Sequence, residues 1–213
     1  MIAWEHPTGR VPRSVDVVAL GASCQSYMRH SLNKGRSVDS VTDEVWTVNR
    51  GIRLFAADLA FVLDEIEPEI RRDPAYGLAL KKAKIPIIST VYTDSVVDCH
   101  AFPAREILDC IRQRADLSDP YWHNSMPMVV AYAWFIGVKQ LTLWGCDYTR
   151  PDGQVIEDDR SNLEYWIGWG RAMGMRIGVP SDTTLMNQYR TGGGLRIYGL
   201  VDQSRAREWL GLD

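Results

Sequence analysis

The sequence predicts a Rossmann-like α/β fold: a doubly wound, mostly parallel sheet with helices on both faces. Three observations predict it. Short, nearly continuous apolar runs alternate with segments of helical period; strands covered on both faces read as such runs, and the alternation builds parallel crossovers. Most of these runs end at Gly, Asn, Asp or Pro, which punctuate strands. The 213 residues, 46% hydrophobic and 24% charged, suit one globular unit over residues 1–213 and exclude a disordered tail, collagen and a coiled-coil rod.

The elements follow in order. Val15 to Leu20 is a buried strand closed by Gly21. Val45 to Val48 is a second, closed by Asn49, and Leu59 to Leu63 a third, flanked by Asp58 and Asp64. Ile85 to Thr90 is a fourth, with Pro86 at an early or edge position because proline donates nothing to a ladder. Leu141 to Trp144 closes at Gly145, and Arg176 to Val179 at Pro180. Between them, residues 103–114 carry Ile107, Leu108 and Ile111 at helical spacing. Residues 125–136 are small and apolar all round, which predicts a buried helix with Pro127 in its first turn. Residues 161–173 set Leu163, Trp166, Ile167 and Gly170 on one stripe, so Trp166 and Trp169 read as core. Asp202 or Ser204 caps a last helix bearing Ala206, Trp209 and Leu210. Polar residues 150–159 and 183–194 read as mobile loops; the second ends in Gly192-Gly193-Gly194, between Arg190 and Arg196.

Composition narrows the function. A net charge of −3 lacks the basic excess of a protein that grips nucleic acid by its phosphates. The longest apolar run, residues 129–138, is about half of the ~20 residues a bilayer needs. Glu5, His6, Pro7 and Pro12 interrupt any signal-peptide core, so a cytoplasmic protein is expected. Cysteines 24, 99, 110 and 146 form no Cys-x-x-Cys pair; they read as reduced, mostly buried thiols rather than zinc ligands. His6, His30 and His100 lie away from predicted strand ends and read as surface or packing residues.

Parallel sheets hold ligands beyond the carboxyl ends of their strands. Gly21-Ala22-Ser23, Asn49, Asp64, Ser89-Thr90 and Asp147-Tyr148 all follow predicted strands. The Gly-Ser turn either starts a helix or offers N–H groups and Ser23 to a phosphate. Asn49 either caps a turn or reads a base or sugar. Asp147 either caps a helix or lines the cleft. Asn124 or Ser125 caps the buried helix, and the same helix start seats an anion, with His123 beside it.

The order of these features, ending in Gly137-Val138-Lys139-Gln140-Leu141-Thr142-Leu143-Trp144-Gly145-Cys146-Asp147-Tyr148, resembles one superfamily. It contains bacterial lipooligosaccharide sialyltransferases, the motility accessory factors that glycosylate flagellin, and archaeal hydroxymethylpterin pyrophosphokinase. The resemblance covers about residues 15–180. It implies that Gly21 and Ser23 form the nucleotide-phosphate turn, that Asn49 stands near the donor, that Ser125 contacts the nucleotide, and that Asp147 and Tyr148 line the donor phosphate. The chain departs from the pattern at Ala19, where the family has glycine, and at Met126, where it has glycine after the serine. No histidine follows His123, so the catalytic base is expected from Glu157, Asp158 or Asp159, or from His123 itself.

The reading is a nucleotide-dependent transferase, a glycosyltransferase moving a sugar from a nucleotide-sugar to an acceptor hydroxyl on a glycan, a small molecule or a modified DNA base. Its alternatives are pyrophosphoryl or nucleotidyl transfer and a non-catalytic nucleotide- or nucleic-acid-binding module. No Asp-x-Asp metal motif stands at a strand end, so no metal site is assigned; the pair Asp158-Asp159 leaves a place for Mg²⁺. The acceptor and any homo-oligomer are not specified by these residues.

Overall fold

The computed structural model describes residues 4–34, 42–115, 120–149, 152, 154–187 and 208. Seven parallel strands form one sheet: β1 (Ser14–Val18), β2 (Glu44–Val48), β3 (Leu59–Val62), β4 (Ile87–Ser89), β5 (Cys99–Ala101), β6 (Gln140–Trp144) and β7 (Arg176–Gly178). Their spatial order is β5-β4-β3-β2-β1-β6-β7. The chain therefore winds outward from β1 to β5, then returns to place β6 and β7 on the other side of β1. The winding reverses between β1 and β6.

The helices are α1 (Cys24–Lys34), α2 (Ile66–Arg72), α3 (Pro74–Lys82), α4 (Ala104–Arg112), α5 (Ser125–Ile136) and α6 (Glu157–Ala172), with 3₁₀ turns at Asn49–Arg53 and Leu185–Asn187. Alternate strand residues serve the two faces. Val15, Val17, Trp46, Phe61, Leu141 and Leu143 pack with α5 and α6 in the larger core. Ala60, Val62 and Ile87 pack on the opposite face with Ile66, Tyr76 and Leu80. Each such fully buried side chain contributes about 1.5–3 kcal/mol over exposure, so the two-sided pattern drives the layering.

Local chemistry sets the key boundaries. α5 begins where Asn124 Oδ1 accepts from Met126 N at 3.2 Å, and Pro127 costs nothing in the first turn. It ends at Gly137, and Lys139 N and Gln140 N then donate to Arg13 O. Trp166 and Trp169 are core residues, at 0% and 8% exposure, and Trp169 packs edge-on against Trp134 at 4.8 Å.

Several expectations change. Residues 157–159 are the first turn of α6, not a loop, because three acids at a helix N-terminus favour the helix dipole. Within the stretch read as a loop at 183–194, Thr183 and Leu185 are buried and Leu185–Asn187 forms a 3₁₀ turn. β5 was not expected; it is three residues long, carries His100 at its centre and sits at the sheet edge, so it lacks an apolar run. Pro86 precedes β4 and so takes the early position; β4 itself is not the edge. The four cysteines are free, but only Cys146 is fully buried. The predicted last helix, Arg190, Arg196 and residues 192–194 lie outside the described residues. Among the described residues, no helix is long and apolar enough to cross a membrane.

At the amino edge of the sheet, a buried network ties the N-terminal segment down. His6 Nε2 meets Glu44 Oε2 at 3.1 Å and its Nδ1 meets Tyr132 Oη at 2.7 Å, while Trp46 Nε1 donates to Glu44 Oε2 at 2.7 Å. His30 stacks on Trp144 at 5.1 Å, and His100 pairs with Asp98, so all three of these histidines do pack.

Candidate functional site

The carboxyl edge of the sheet, centred on the β1–β6 reversal, gathers the predicted residues. α1 and α6 start there because each directly follows a strand that ends there. α5 starts there too, since its far end returns to Arg13 at the amino edge. Three helix N-termini, each carrying a partial positive charge, therefore point at one rim.

The rim is strained. Among the described residues, the non-glycine residues with positive φ are Asn49 (51°), Tyr121 (49°), Tyr148 (49°) and Met186 (54°). Asn49 and Met186 fall in the two 3₁₀ turns and Tyr121 and Tyr148 in loops, all at this edge. Such conformations cost about 1–3 kcal/mol each and persist where the surroundings enforce them, most often at functional sites. Buried polar atoms without partners also collect here: Asn49 Oδ1 after β2, Ser89 Oγ at the end of β4, and Asp147 Oδ1 after β6. Native structures leave few such atoms, and each calls for an explanation such as strain, a bound group or water.

At the reversal itself, the β1 and β6 loops lock together. Gly21 N donates to Gly145 O at 2.7 Å, Ser23 N to Asp147 Oδ2 at 2.6 Å, and Gly145 N to Ser23 Oγ at 3.1 Å. A Cβ on Gly145, whose φ is +68°, would lie 2.2 Å from Ala19 O, and one on Gly21 would lie 2.6 Å from Asp147 Oδ2. The glycines are thus required by close approach. The turn spends its Gly21 and Ser23 N–H groups internally, on Gly145 O and Asp147 Oδ2. Asp147 is a buried clamp, 2% exposed.

A segment at residues 180–187 lies against the same junction. Ser26 and Arg29 hold Asp182, Arg160 Nη1 donates to Thr184 O at 3.4 Å, and Thr184 Oγ1 donates to Asp147 O. The β1–β6 junction is therefore covered, and the accessible rim lies beside it, around Asn49, Asp64, Ser125 and His123.

There the side chains form two linked groups. Asn49 Nδ2 donates to Asp64 Oδ2 at 3.1 Å. The Tyr148 hydroxyl donates to Asn124 Oδ1, while Asn124 Nδ2 faces Asp159 Oδ1 and its backbone O, both at 3.4 Å. Burial holds the Tyr148 phenol protonated far above its ordinary range, with Cys146 and Asp159 adding to the shift. Asn124 thereby ties the starts of α5 and α6 to the β6 loop, and Ser125 stands half-buried at the head of α5.

The four expected bases separate. Glu157 is exposed and paired with Arg160 at 2.5 Å, and Asp159 faces Asn124. Among the described residues, the side chains of Asp158 and His123 make no hydrogen bond or ion pair, and both are exposed. His123 sits just before α5, its ring 4.6 Å from that of Tyr121 and its N–H donating to Asn162 Oδ1 at 3.2 Å. Among the described residues, no group of three or more His, Cys, Asp or Glu converges as a metal requires. Asp58 belongs elsewhere, holding Val45 N at the amino edge at 2.8 Å. Sequence reasoning missed the strain at Tyr121 and Met186, and the roles of Thr184 and Asn162, because these depend on contacts 22–45 residues apart with no motif to mark them.

No family model matches the sequence, and no curated protein matches it at a significant level. Among solved structures, the chain is similar to the sialyltransferase CstII from Campylobacter jejuni in complex with a substrate analogue, CMP-3FNeuAc. Identity is 13% and the TM-score 0.50, covering 93% of this chain and 98% of that one. A second structure of CstII, with cytidine-5′-monophosphate, gives 12% identity, a TM-score of 0.48 and coverage of 94% and 100%. The likeness is one of fold, and it agrees with the Rossmann-like class.

Proposed function

We propose that this chain is a nucleotide-dependent transferase, specifically a glycosyltransferase that moves a sugar from a nucleotide-sugar to an acceptor hydroxyl. The observation that carries the reading is that Ser125 at the α5 N-terminus, Asn49 after β2 and Ser89 at the end of β4 all stand at the carboxyl edge of the sheet. A helix N-terminus stabilises a phosphate, and the exposed Asp64, bonded to Asn49 Nδ2 at 3.1 Å, offers polar groups to the sugar or base. The fold it shares with a sialyltransferase crystallised with a CMP-sugar analogue supports the donor class.

In this reading the acceptor oxygen attacks the anomeric carbon. A carbon–oxygen bond forms there as the bond to the donor phosphate breaks, and the electron pair leaves on the phosphate oxygen. The α5 N-terminus stabilises that developing charge. His123 takes the acceptor proton, since its imidazole is exposed at the rim and its ring nitrogens have no hydrogen-bond partner among the described residues; Asp158 is the second base. Asp159 instead orients Asn124 and, through it, Tyr148.

The test is a panel of CMP-, UDP- and GDP-sugars with free nucleotide measured over time. The expected result is release from one donor class, lowered about 10²–10⁴-fold in His123→Ala. No binding and no release with any donor contradicts the reading. The inward-turned N–H groups of Gly21 and Ser23 favour one alternative, nucleotide binding without turnover, which binding without release selects.

A further inference from the structure

The amino edge of the sheet, opposite the rim just described, carries a cleft of about 490 Å³ lined by Arg13, Ser14, Asp43, Lys139, Gln140 and Arg176, among others. A second cleft of about 440 Å³ adjoins it, sharing Gln140 and Arg176. The three cations come from three neighbouring strand starts and are fixed at their roots. Lys139 N and Gln140 N donate to Arg13 O at 2.9 and 3.0 Å, and Arg176 N donates to Lys139 O at 2.9 Å. Neighbouring strands lie about 4.8 Å apart, so the three roots span roughly 10 Å.

Two observations define the charge of this cluster. Among the described residues, none of the Arg13, Lys139 and Arg176 side chains has a hydrogen-bond partner or an ion-pair partner. Among the described residues Arg71, Arg105 and Lys82 are likewise without such partners, but only Arg13, Lys139 and Arg176 share this cleft. The one acid of the cleft does not neutralise them. Asp43 Oδ2 accepts from Arg13 N at 2.6 Å and Ser14 N at 3.0 Å, so its carboxylate is turned to the backbone. Those backbone bonds hold Asp43 below the ordinary Asp range, and Arg10 adds to the shift, so Asp43 is ionised and a further cation stands nearby. Three cations against one acid leave an excess of two positive charges in a concave site, on a chain whose net charge is −3.

We infer that this cleft binds a compact, multiply charged phosphate, a di- or triphosphate group, at a site separate from the carboxyl rim. Guanidinium forks grip phosphate oxygens in pairs, and an ammonium adds a point charge. A concave cleft spanning three strand starts suits a short phosphate chain better than the ridge of a duplex.

The test is isothermal titration of the full chain with inorganic pyrophosphate at low ionic strength. The wild-type protein binds, and binding weakens as salt rises. Arg13→Gln/Arg176→Gln weakens it at least about tenfold, because two charge-assisted contacts are lost. Both side chains are exposed, so the fold is kept, and a circular dichroism spectrum matching wild type verifies this. Lys139→Gln provides a second, independent variant with the same direction. Lys82→Gln, which removes an exposed cation of α3 outside the cleft, leaves pyrophosphate binding unchanged. Equal affinity in wild type and the double variant overturns the inference. So does binding to a single-stranded oligonucleotide or to phosphatidylserine vesicles with none to pyrophosphate.

Discussion

At the scale of single residues, Asp147 separates position from contact. Its place after β6 was legible in the sequence, as were those of Ser23 and Asn49, because strand ends show themselves by hydrophobic pattern, and that of Ser125, because an Asn cap precedes an apolar helix there. Its role was not, because the partner of its carboxylate is Ser23 N, 124 positions away. Asp147→Ala leaves that buried N–H without an acceptor and costs about 1–3 kcal/mol. Asp147→Asn, which keeps an acceptor oxygen, costs less. Urea denaturation measures both, and a wild-type midpoint for Asp147→Ala removes the clamp.

Glu44 gives a residue-scale prediction of pH dependence. Burial pushes its carboxyl up, but hydrogen bonds from His6, Thr8 and Trp46 outweigh this and leave it below the ordinary 4.5. A carboxyl with a lower pKa folded than unfolded stabilises the fold above the unfolded value. That contribution is lost as pH falls below about 4.5 and through the folded value. Acidification should therefore lower the denaturation midpoint, and Glu44→Gln should flatten that slope in this window. An unchanged slope contradicts the assignment.

At the scale of elements, α5 was readable to the residue because three local signals agree there: an Asn cap, a first-turn proline and an unbroken apolar run. α6 was read four residues short at its start, because a run of acids resembles a loop until its helix dipole is considered. α2, α3 and β5 were not read, since none carries a long apolar run. The β6 loop offers the sharpest element-scale contrast. Gly145→Ala places a Cβ 2.2 Å from Ala19 O at a φ of +68°, so it should destabilise by more than the ~1–2 kcal/mol of left-handed strain alone. Gly168→Ala, on the exposed side of α6 with nothing within 4 Å of its Cβ, should stabilise by about 0.5–1 kcal/mol. Thermal unfolding of the two variants checks both signs, and a stable Gly145→Ala protein would show that the two loops can separate.

At the scale of the whole molecule, the sheet divides its chemistry between two edges. The carboxyl edge carries helix N-termini, strained loops and unpartnered oxygens; the amino edge carries the buried His6–Glu44 network and the cationic cleft. The parallel winding produces this polarity, because every crossover starts its helix at the same edge. The sequence pattern therefore located the rim without resolving which side chains face it.

The central claim is that the carboxyl rim binds a nucleotide. Amide chemical-shift mapping by NMR during titration with CMP, extended to UDP and GDP, tests it most directly. The account predicts that one of them shifts the amides of Asn49, Ser125 and Tyr148. Shifts confined to the amino edge around Arg13, Lys139 and Arg176, or none at saturating ligand, would contradict it.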